Sequence, residues 1–201
     1  MKHLFNKLFF AKSSDEIRQE LFKALYTPNK QKVVDLIEKN GIDIHQFRDQ
    51  SNSILINAVN CASDCHGSKE QLEVVDYLIG RQANVNYKNA NGYNALHIAL
   101  AYHNLSKVSL LLIKNGHPSI NDTDDKNGNS PIFTAIREYG LTWREEQKEL
   151  NKLRFEIVRE LLDRGAEIDQ KNHHGISARK WIETIPENDK LHSLIKDHDR
   201  N

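Results

Sequence analysis

The chain has 201 residues, enough for one or two compact domains or for one elongated repeat array. Hydrophobic residues make up 38% of it and charged residues 28%, which excludes the composition of a disordered chain, since that has few large apolar residues and a high net charge. The 28 Lys and Arg balance the 28 Asp and Glu, so the chain lacks the basic excess of nucleic-acid-binding proteins and we expect no nucleic-acid partner.

The N-terminal segment, residues 1–13, is basic and apolar, but its apolar run from Leu8 to Ala11 is too short for the core of a signal peptide. Elsewhere the chain has no stretch approaching the roughly 20 apolar residues of a membrane span. The two cysteines, Cys61 and Cys65, are too few for a disulfide framework. We therefore expect a cytoplasmic protein that does not bind membranes.

Helical patterns follow the N-terminal segment. The first predicted helix runs from Asp15 to Tyr26, and a second one follows Pro28 and ends at the helix-stop pair Asn40-Gly41. The apolar pattern of this second helix recurs in segments that begin at Val33, Val75, Val108 and Val158. The middle two of these are 33 positions apart, and the outer offsets of 42 and 50 indicate insertions if the repeating unit is about 33 residues.

A turn followed by a short helix alternates with these segments. Glycine occupies the turn at Gly92, Gly128 and Gly175, where a positive φ is expected, whereas the copy at residues 50–58 has Ser51 instead. Because this repeat also carries a loop insertion near Asn60–Lys69, we expect it to be a weak joint of the array.

These two elements together resemble the ankyrin repeat. The turn glycine and the Leu-His-x-Ala pattern of that family are nearly intact from Gly92 to Ala99, and its Leu-Leu-x-x-Gly-Ala-x-x-Asn ending is visible from Leu161 to Asp169 and from Leu78 to Asn86. The resemblance covers about residues 14–185. It implies an all-α solenoid of stacked helix-turn-helix units with short β-turn or hairpin loops.

The predicted organisation is an N-terminal segment, an ankyrin-repeat domain at 14–185 and a C-terminal capping helix and tail at 186–201. The repeats fall at about 14–47, 48–87, 88–124, 125–171 and 172–185. In the last repeat, Arg179 and Lys180 stand where inner helices of the family usually carry Leu and His, which is typical of a solvent-facing cap.

Two insertions, near Asn60–Lys69 and near Glu138–Lys152, separate the inner and outer helices of their repeats. Capping boxes are expected at Ser68 and at Thr142. Because residues 142–163 contain no Gly or Pro, the second insertion predicts a helix of about 22 residues, or about 33 Å, that overhangs its neighbours. The overhang either packs on the insertion or embraces a partner through Trp143.

The resemblance implies that hairpin tips and inner helices form a concave surface that binds another protein. Position by position, and with Trp143 added from the insertion, the candidate partner-binding residues are Asp49, Gln50, Asn52, Asn91, Tyr93, Tyr102, Lys126, Asn127, Asn129, Arg137, Glu138, Trp143, His173 and His174.

Patterns that carry catalysis are missing from the sequence, which has no Gly-x-Ser-x-Gly, no His-Glu-x-x-His and no phosphate-binding glycine loop. Cys61, Cys65 and His66 lack the further ligands that a zinc site needs. We expect no enzyme activity, no catalytic residues, no cofactor and no metal.

The expected function is therefore that of a protein-binding module that is monomeric when free. The sequence shows no second domain to be scaffolded, so we favour a bacterial immunity-like inhibitor that neutralises a toxin or an enzyme by occluding it. A host-directed effector or scaffold adaptor is the alternative, and an enzyme or metal site hidden in the insertions is a third.

Overall fold

The computed structural model describes residues 13–200 and arranges them as helices that follow one another in pairs. The N-terminal segment considered above lies outside the described residues, apart from Ser13. The five successive pairs are α1 (Ser14–Tyr26) with α2 (Lys30–Asn40), α3 (Ile54–Val59) with α4 (Lys69–Gly80), α5 (Ala95–Ala101) with α6 (Ser106–Gly116), α7 (Pro131–Gly140) with α8 (Lys148–Asp163), and α9 (Ala178–Ile182) with α10 (Lys190–His198). Short 3-10 turns lie at Ser63–Cys65, His103–Leu105 and Glu145–Gln147.

The helix pairs stack in chain order. The first helix of each pair contacts the first helix of the next pair, from α1 through α3, α5 and α7 to α9, and the second helices form a parallel row in the same way. One continuous cluster of buried side chains runs through the stack, from Leu21 in the first pair to Ile195 in the last. Because each pair buries its apolar face against its neighbours, the molecule is a solenoid, and the predicted all-α architecture is confirmed.

Helix ends with local capping signals lie close to their predicted positions. Ser13 accepts a hydrogen bond from the main-chain N–H of Glu16 and donates its own N–H to the Glu16 carboxylate, which forms a complete capping box for α1. Gly41 ends α2 in the left-handed conformation, with φ of 60°. At α4 only half of the expected box forms, since Ser68 caps Gln71 while the Gln71 side chain turns to Gly67, Ala58 and Val59.

The prediction of a helix of about 22 residues that begins at Thr142 is wrong, because α8 begins only at Lys148 and has 16 residues. The buried hydroxyl of Thr142 donates to the main-chain oxygen of Tyr139 at 2.6 Å and accepts from Asn151 at 3.1 Å. It therefore closes the preceding helix instead of capping the next one. From Arg154 onward one face of α8 lies in the core, and Leu150 and Leu153 near its start line a hollow beside the first insertion and the third repeat.

Turns align the hairpins along one edge of the solenoid. Asn89 Oδ1 accepts the main-chain N–H groups of Asn91 and Tyr93, and Asn172 Oδ1 accepts those of His174 and Ile176. In the turn between them, the two carboxylate oxygens of Asp124 accept the N–H groups of Asn127 and Asn129. Successive turns are also bonded to one another through the main chain, from Asp125 N to Gly92 O at 3.3 Å and from His173 N to Asn127 O at 2.9 Å. These bonds fix the loops that border the candidate site.

The second repeat forms its turn without glycine. Strands β1 (Arg48–Asp49) and β2 (Asn52–Ser53) pair there as a short antiparallel hairpin. The residue with positive φ is Gln50, at 52°, one position before Ser51. A side chain therefore occupies a conformation that costs about 1–2 kcal/mol outside glycine.

Candidate functional site

Six of the predicted partner-binding residues line a single groove of about 370 Å³ on the side of the hairpins and first helices, here called the concave groove. These six are Asn91, Tyr93, Tyr102, Asn127, Asn129 and Arg137. They come from two successive repeats, and the stacking of α5 on α7 brings them together. The further lining residues include Asn60, His97, Ala101, Asp124 and Thr134.

Tyr102 is the most exposed aromatic residue of the concave groove. It follows α5 directly, in an extended conformation, and 57% of its surface is accessible. Its ring centroid lies 6.4 Å from that of His66 in the first insertion, so one side of the ring is supported by the neighbouring repeat. The rest of the ring is free to enter a pocket on a partner, as aromatic anchors of interfaces do.

Three asparagine side chains, those of Asn60, Asn91 and Asn127, border the concave groove and make no hydrogen bond within residues 13–200. Each amide offers both a donor and an acceptor. The main chains of Asn91 and Asn127 are held by the turn bonds from Asn89 and Asp124. The backbone positions of these two residues are therefore fixed, while their amides remain free of hydrogen bonds among the described residues.

Arg137 is the cation of the concave groove, and its neighbour Glu138 holds it. The Nε and Nη2 atoms of Arg137 donate to Oε1 of Glu138 at 3.0 and 2.9 Å, while Nη1 makes no hydrogen bond among the described residues. Glu138 is only 8% exposed, and its Oε2 lies 3.1 Å from Nε2 of His103. Glu138 was predicted as a surface contact, whereas the structure places it behind Arg137 as a positioning residue.

His97 lies beneath the concave groove and links two repeats. Its Nδ1 accepts the main-chain N–H of Asn94 at 3.3 Å, which assigns the proton to Nε2, and Nε2 then donates to the main-chain oxygen of Asp122 at 2.9 Å. Burial lowers the pKa of the imidazole, so the neutral form is favoured. His97 thus links neighbouring turns.

The remaining predicted residues lie outside the concave groove. Asp49, Gln50 and Asn52 belong to the β1–β2 hairpin, where Asn52 accepts a hydrogen bond from Asn89. Lys126 sits at the tip of a later hairpin, in a shallow hollow. His173 and His174 form the last exposed tip, and the His173 ring packs closely over Gly128.

Trp143 lies in a different and larger groove of about 760 Å³, here called the insertion groove. It is bounded by the end of α7, by the loop of the second insertion, by the start of α8, and by the segment from Trp181 to Lys190. Trp143 and Leu141 stand at its border, 77% and 53% exposed. Sequence reasoning missed Trp181 and Lys190, since only the fold brings this segment beside the insertion.

In the first insertion, Cys61 and His66 are in contact through the main chain. Cys61 is buried, and burial raises the pKa of its thiol to about 12, so it stays protonated. Nε2 of His66 contacts the main-chain oxygen of Cys61 at 3.1 Å. Over residues 13–200, no three His, Cys, Asp or Glu side chains are grouped to hold a metal ion, and no helix has the length and apolarity needed to span a membrane.

Comparison with known proteins agrees with this architecture. A family model described as ankyrin repeats (3 copies) matches residues 60–172, which is more than half of the chain. A search of curated protein sequences finds no match. The matched region spans the five helices from α4 to α8, together with the turns that border the concave groove. The chain therefore belongs to the ankyrin-repeat family and is a protein-interaction module.

Proposed function

We propose that the concave groove binds another protein and inhibits it by occlusion, as a bacterial immunity protein neutralises a toxin or an enzyme. The observation that supports this most directly is that the main chain at two free asparagines of the groove, and the side chain of its arginine, are fixed before any partner arrives. Asn91 and Asn127 are held by their turns, and Arg137 is held by Glu138. Preorganised groups lose little entropy on binding, which favours a tight complex.

Each group of the concave groove makes a different contact with the partner. Tyr102 enters a pocket of the partner, and the asparagine amides bond to the partner's main chain. Arg137, with Nη1 free, pairs with a carboxylate of the partner. An inhibitor that acts by occlusion needs no catalytic residues of its own. A monomer in the cytoplasm is sufficient for this role.

Affinity capture from the native cell tests this function. Wild-type protein is expected to retain one protein partner, and Tyr102→Ser or Arg137→Ala to retain much less, because each removes a central contact of the concave groove. Tyr26→Ser is the matched control, since Tyr26 is an exposed aromatic residue on α1 that does not line the groove. Equal capture by wild type and Tyr102→Ser would show that the concave groove is not the binding surface.

The activity of the captured partner then tests inhibition. We expect it to fall when wild-type protein is added in stoichiometric amount and to be unaffected by Tyr102→Ser. The insertion groove favours a second candidate, a scaffold adaptor, because it supplies a further surface on the same molecule. A partner that keeps its full activity in the complex, while a second protein is captured with it, would support the adaptor and exclude the inhibitor.

A further inference from the structure

The insertion groove has an apolar floor with raised apolar walls. Tyr139 and Ile185 are buried in its floor, and Trp181 lies beside them. Leu141 and Trp143 stand exposed on the insertion side. Large apolar side chains exposed together beside a groove are typical of a contact surface, since they remain in water unless a partner covers them.

The border of the insertion groove is cationic. Arg137, Arg144, Lys148 and Lys190 line it. Its lining also includes the carboxylate of Asp189, which is already occupied, because it accepts the Tyr139 hydroxyl at 2.7 Å and the main-chain N–H of Leu191 at 2.8 Å.

The second carboxylate of the lining is that of Glu145, which faces Lys148 at 3.6 Å. Both of these side chains are largely exposed, so the pair is weak and its lysine remains available to an incoming anion. Even with Arg137 set against Glu138, the three remaining cations of the lining outnumber its two carboxylates, so the insertion groove presents an excess of positive charge to a partner.

Lys190 and Arg144 are also placed over aromatic rings. The Lys190 ammonium lies 4.3 Å from the ring centroid of Phe155 and 5.9 Å from that of Tyr139, and the Arg144 guanidinium lies 5.6 Å from the ring of Trp143. These contacts hold the charges beside the apolar surface instead of letting them extend into solvent. A binding segment would meet apolar and cationic groups side by side.

From this juxtaposition we propose that the insertion groove binds an acidic, amphipathic peptide segment of a partner protein. Apolar side chains of the segment cover the floor and Trp143, and its carboxylates face Arg144, Lys148 and Lys190. The concave shape favours a peptide over a lipid surface, because the buried floor at Tyr139 lies below walls that a flat bilayer would not follow. The surface is distinct from the concave groove, although Arg137 borders both.

The chain contains two tryptophans, and both line the insertion groove. Intrinsic tryptophan fluorescence therefore reports on this groove without any label. Occupation transfers the exposed Trp143 indole from water to an apolar contact, so the emission is expected to shift to shorter wavelength. A segment that binds in the concave groove alone would leave the emission unchanged.

The experiment selects peptides from a displayed library of random 16-residue sequences on the full-length protein, and measures their affinity by fluorescence titration. We expect enriched peptides that combine Asp or Glu with large apolar residues and that shift the emission. Trp143→Ser is expected to weaken binding, followed by peptide anisotropy, by about 30-fold, the effect of losing a hot-spot aromatic residue. The double variant Lys148→Glu, Lys190→Glu is expected to weaken it by about tenfold or more, with strong salt dependence.

Matched controls separate these effects from changes in folding. Tyr26→Ser removes an exposed aromatic residue, and Lys69→Glu reverses an exposed charge in the first insertion; both are expected to leave peptide affinity within about twofold of wild type. Circular dichroism checks the helicity of each variant. Trp143 is 77% exposed, so its replacement is not expected to disturb the core.

Several outcomes would overturn the proposal. They are the enrichment of no peptide, the enrichment of basic peptides, and peptides that bind Trp143→Ser as well as wild type. A blue shift with phosphatidylserine vesicles but not with peptides would identify a lipid surface instead. If the insertion groove binds no acidic peptide, the result of the Tyr102→Ser capture experiment is unaffected. The two proposals are therefore tested independently.

Discussion

The Glu138 carboxylate joins the concave groove to the core, because one oxygen holds Arg137 at 2.9 and 3.0 Å and the other lies 3.1 Å from His103 Nε2. Behind it lies Arg154 of α8, fully buried, with Nη1 donating to the main-chain oxygen of Leu100 at 2.7 Å. Burial lowers the pKa of Arg154 to about 10, and the charge of Glu138 opposes this shift. One carboxylate therefore pairs with a surface cation and also acts through its charge on a buried one.

Glu138→Gln is expected to lower the free energy of unfolding by about 2 kcal/mol, because a buried arginine loses its nearby counter-charge and Arg137 loses a charged acceptor. Urea denaturation at pH 7 measures the change. Glu145→Gln is the control, since that side chain is 89% exposed and its loss should change stability by less than about 0.5 kcal/mol. Equal midpoints for the two variants would refute a structural role for Glu138.

His97 predicts an acid-sensitive contribution to stability. Burial holds its pKa in the folded protein below the 6.5 of the free side chain, so the unfolded chain takes up the proton first as the pH falls. The contribution is fully present above about pH 6.5 and declines below it, until the folded imidazole is protonated as well.

The comparison of wild type with His97→Gln isolates this effect, since the other histidines are present in both proteins. The unfolding free energy, measured by urea denaturation from pH 7.5 to pH 5.0, is expected to fall more steeply for wild type. The variant should be less stable at every pH, because it loses the bond to Asp122. Parallel pH profiles would contradict the assignment of a neutral, buried His97.

Gly92→Ala and Gly175→Ala separate backbone strain from close packing. Both glycines have positive φ, 76° and 73°, but a Cβ at Gly92 would lie 2.3 Å from Cβ of Asp125, whereas nothing lies within 4 Å of one at Gly175. We expect Gly175→Ala to cost about 1 kcal/mol, and Gly92→Ala to cost about 1–3 kcal/mol more, since the next hairpin must move. Thermal or urea denaturation gives both values, and equal costs would show that the hairpins do not touch.

Hydrogen exchange should find the weakest joint in the second repeat. Amides in residues 48–68 are expected to show protection about tenfold lower than those in 95–113, since Gln50 holds a left-handed conformation worth about 1–2 kcal/mol of strain and the inserted loop follows the short helix α3. Protection as high as in the third repeat would show that the bonds from Gln71 across the insertion offset the strain.

Local signals explain which parts of the fold could be predicted. Ser13, Ser68 and the Asn40-Gly41 pair mark helix ends through bonds to residues within one turn, so sequence alone locates them closely. The pattern at Thr142 also looks like a helix start, but nothing in it reveals that the hydroxyl already bonds to Tyr139 and Asn151. The packing of the fold therefore decides whether the Thr142 hydroxyl caps the next helix or bonds to Tyr139 and Asn151.

The candidate site shows the same division. Repeat periodicity brought Tyr93, Tyr102 and Arg137 to one face, and the structure brings them to one groove. The charge of Glu138 acts on Arg154 of another helix, and the insertion groove depends on Trp181 and Lys190, which lie 29 and 38 residues beyond the end of the insertion at Lys152. Such long-range partners leave no periodic trace in the sequence.

The first insertion is seated on the following repeat, where Gly67 approaches the main-chain oxygen of Asn104 so closely that a Cβ would lie 2.6 Å from it. Repeat proteins are often treated as chains of interchangeable cassettes. Here the second and third repeats would have to be exchanged as a pair, because a standard second repeat would leave Tyr102 without the His66 ring beside it. The smallest segment that could be transferred to another repeat protein with the concave groove intact is therefore longer than a single repeat.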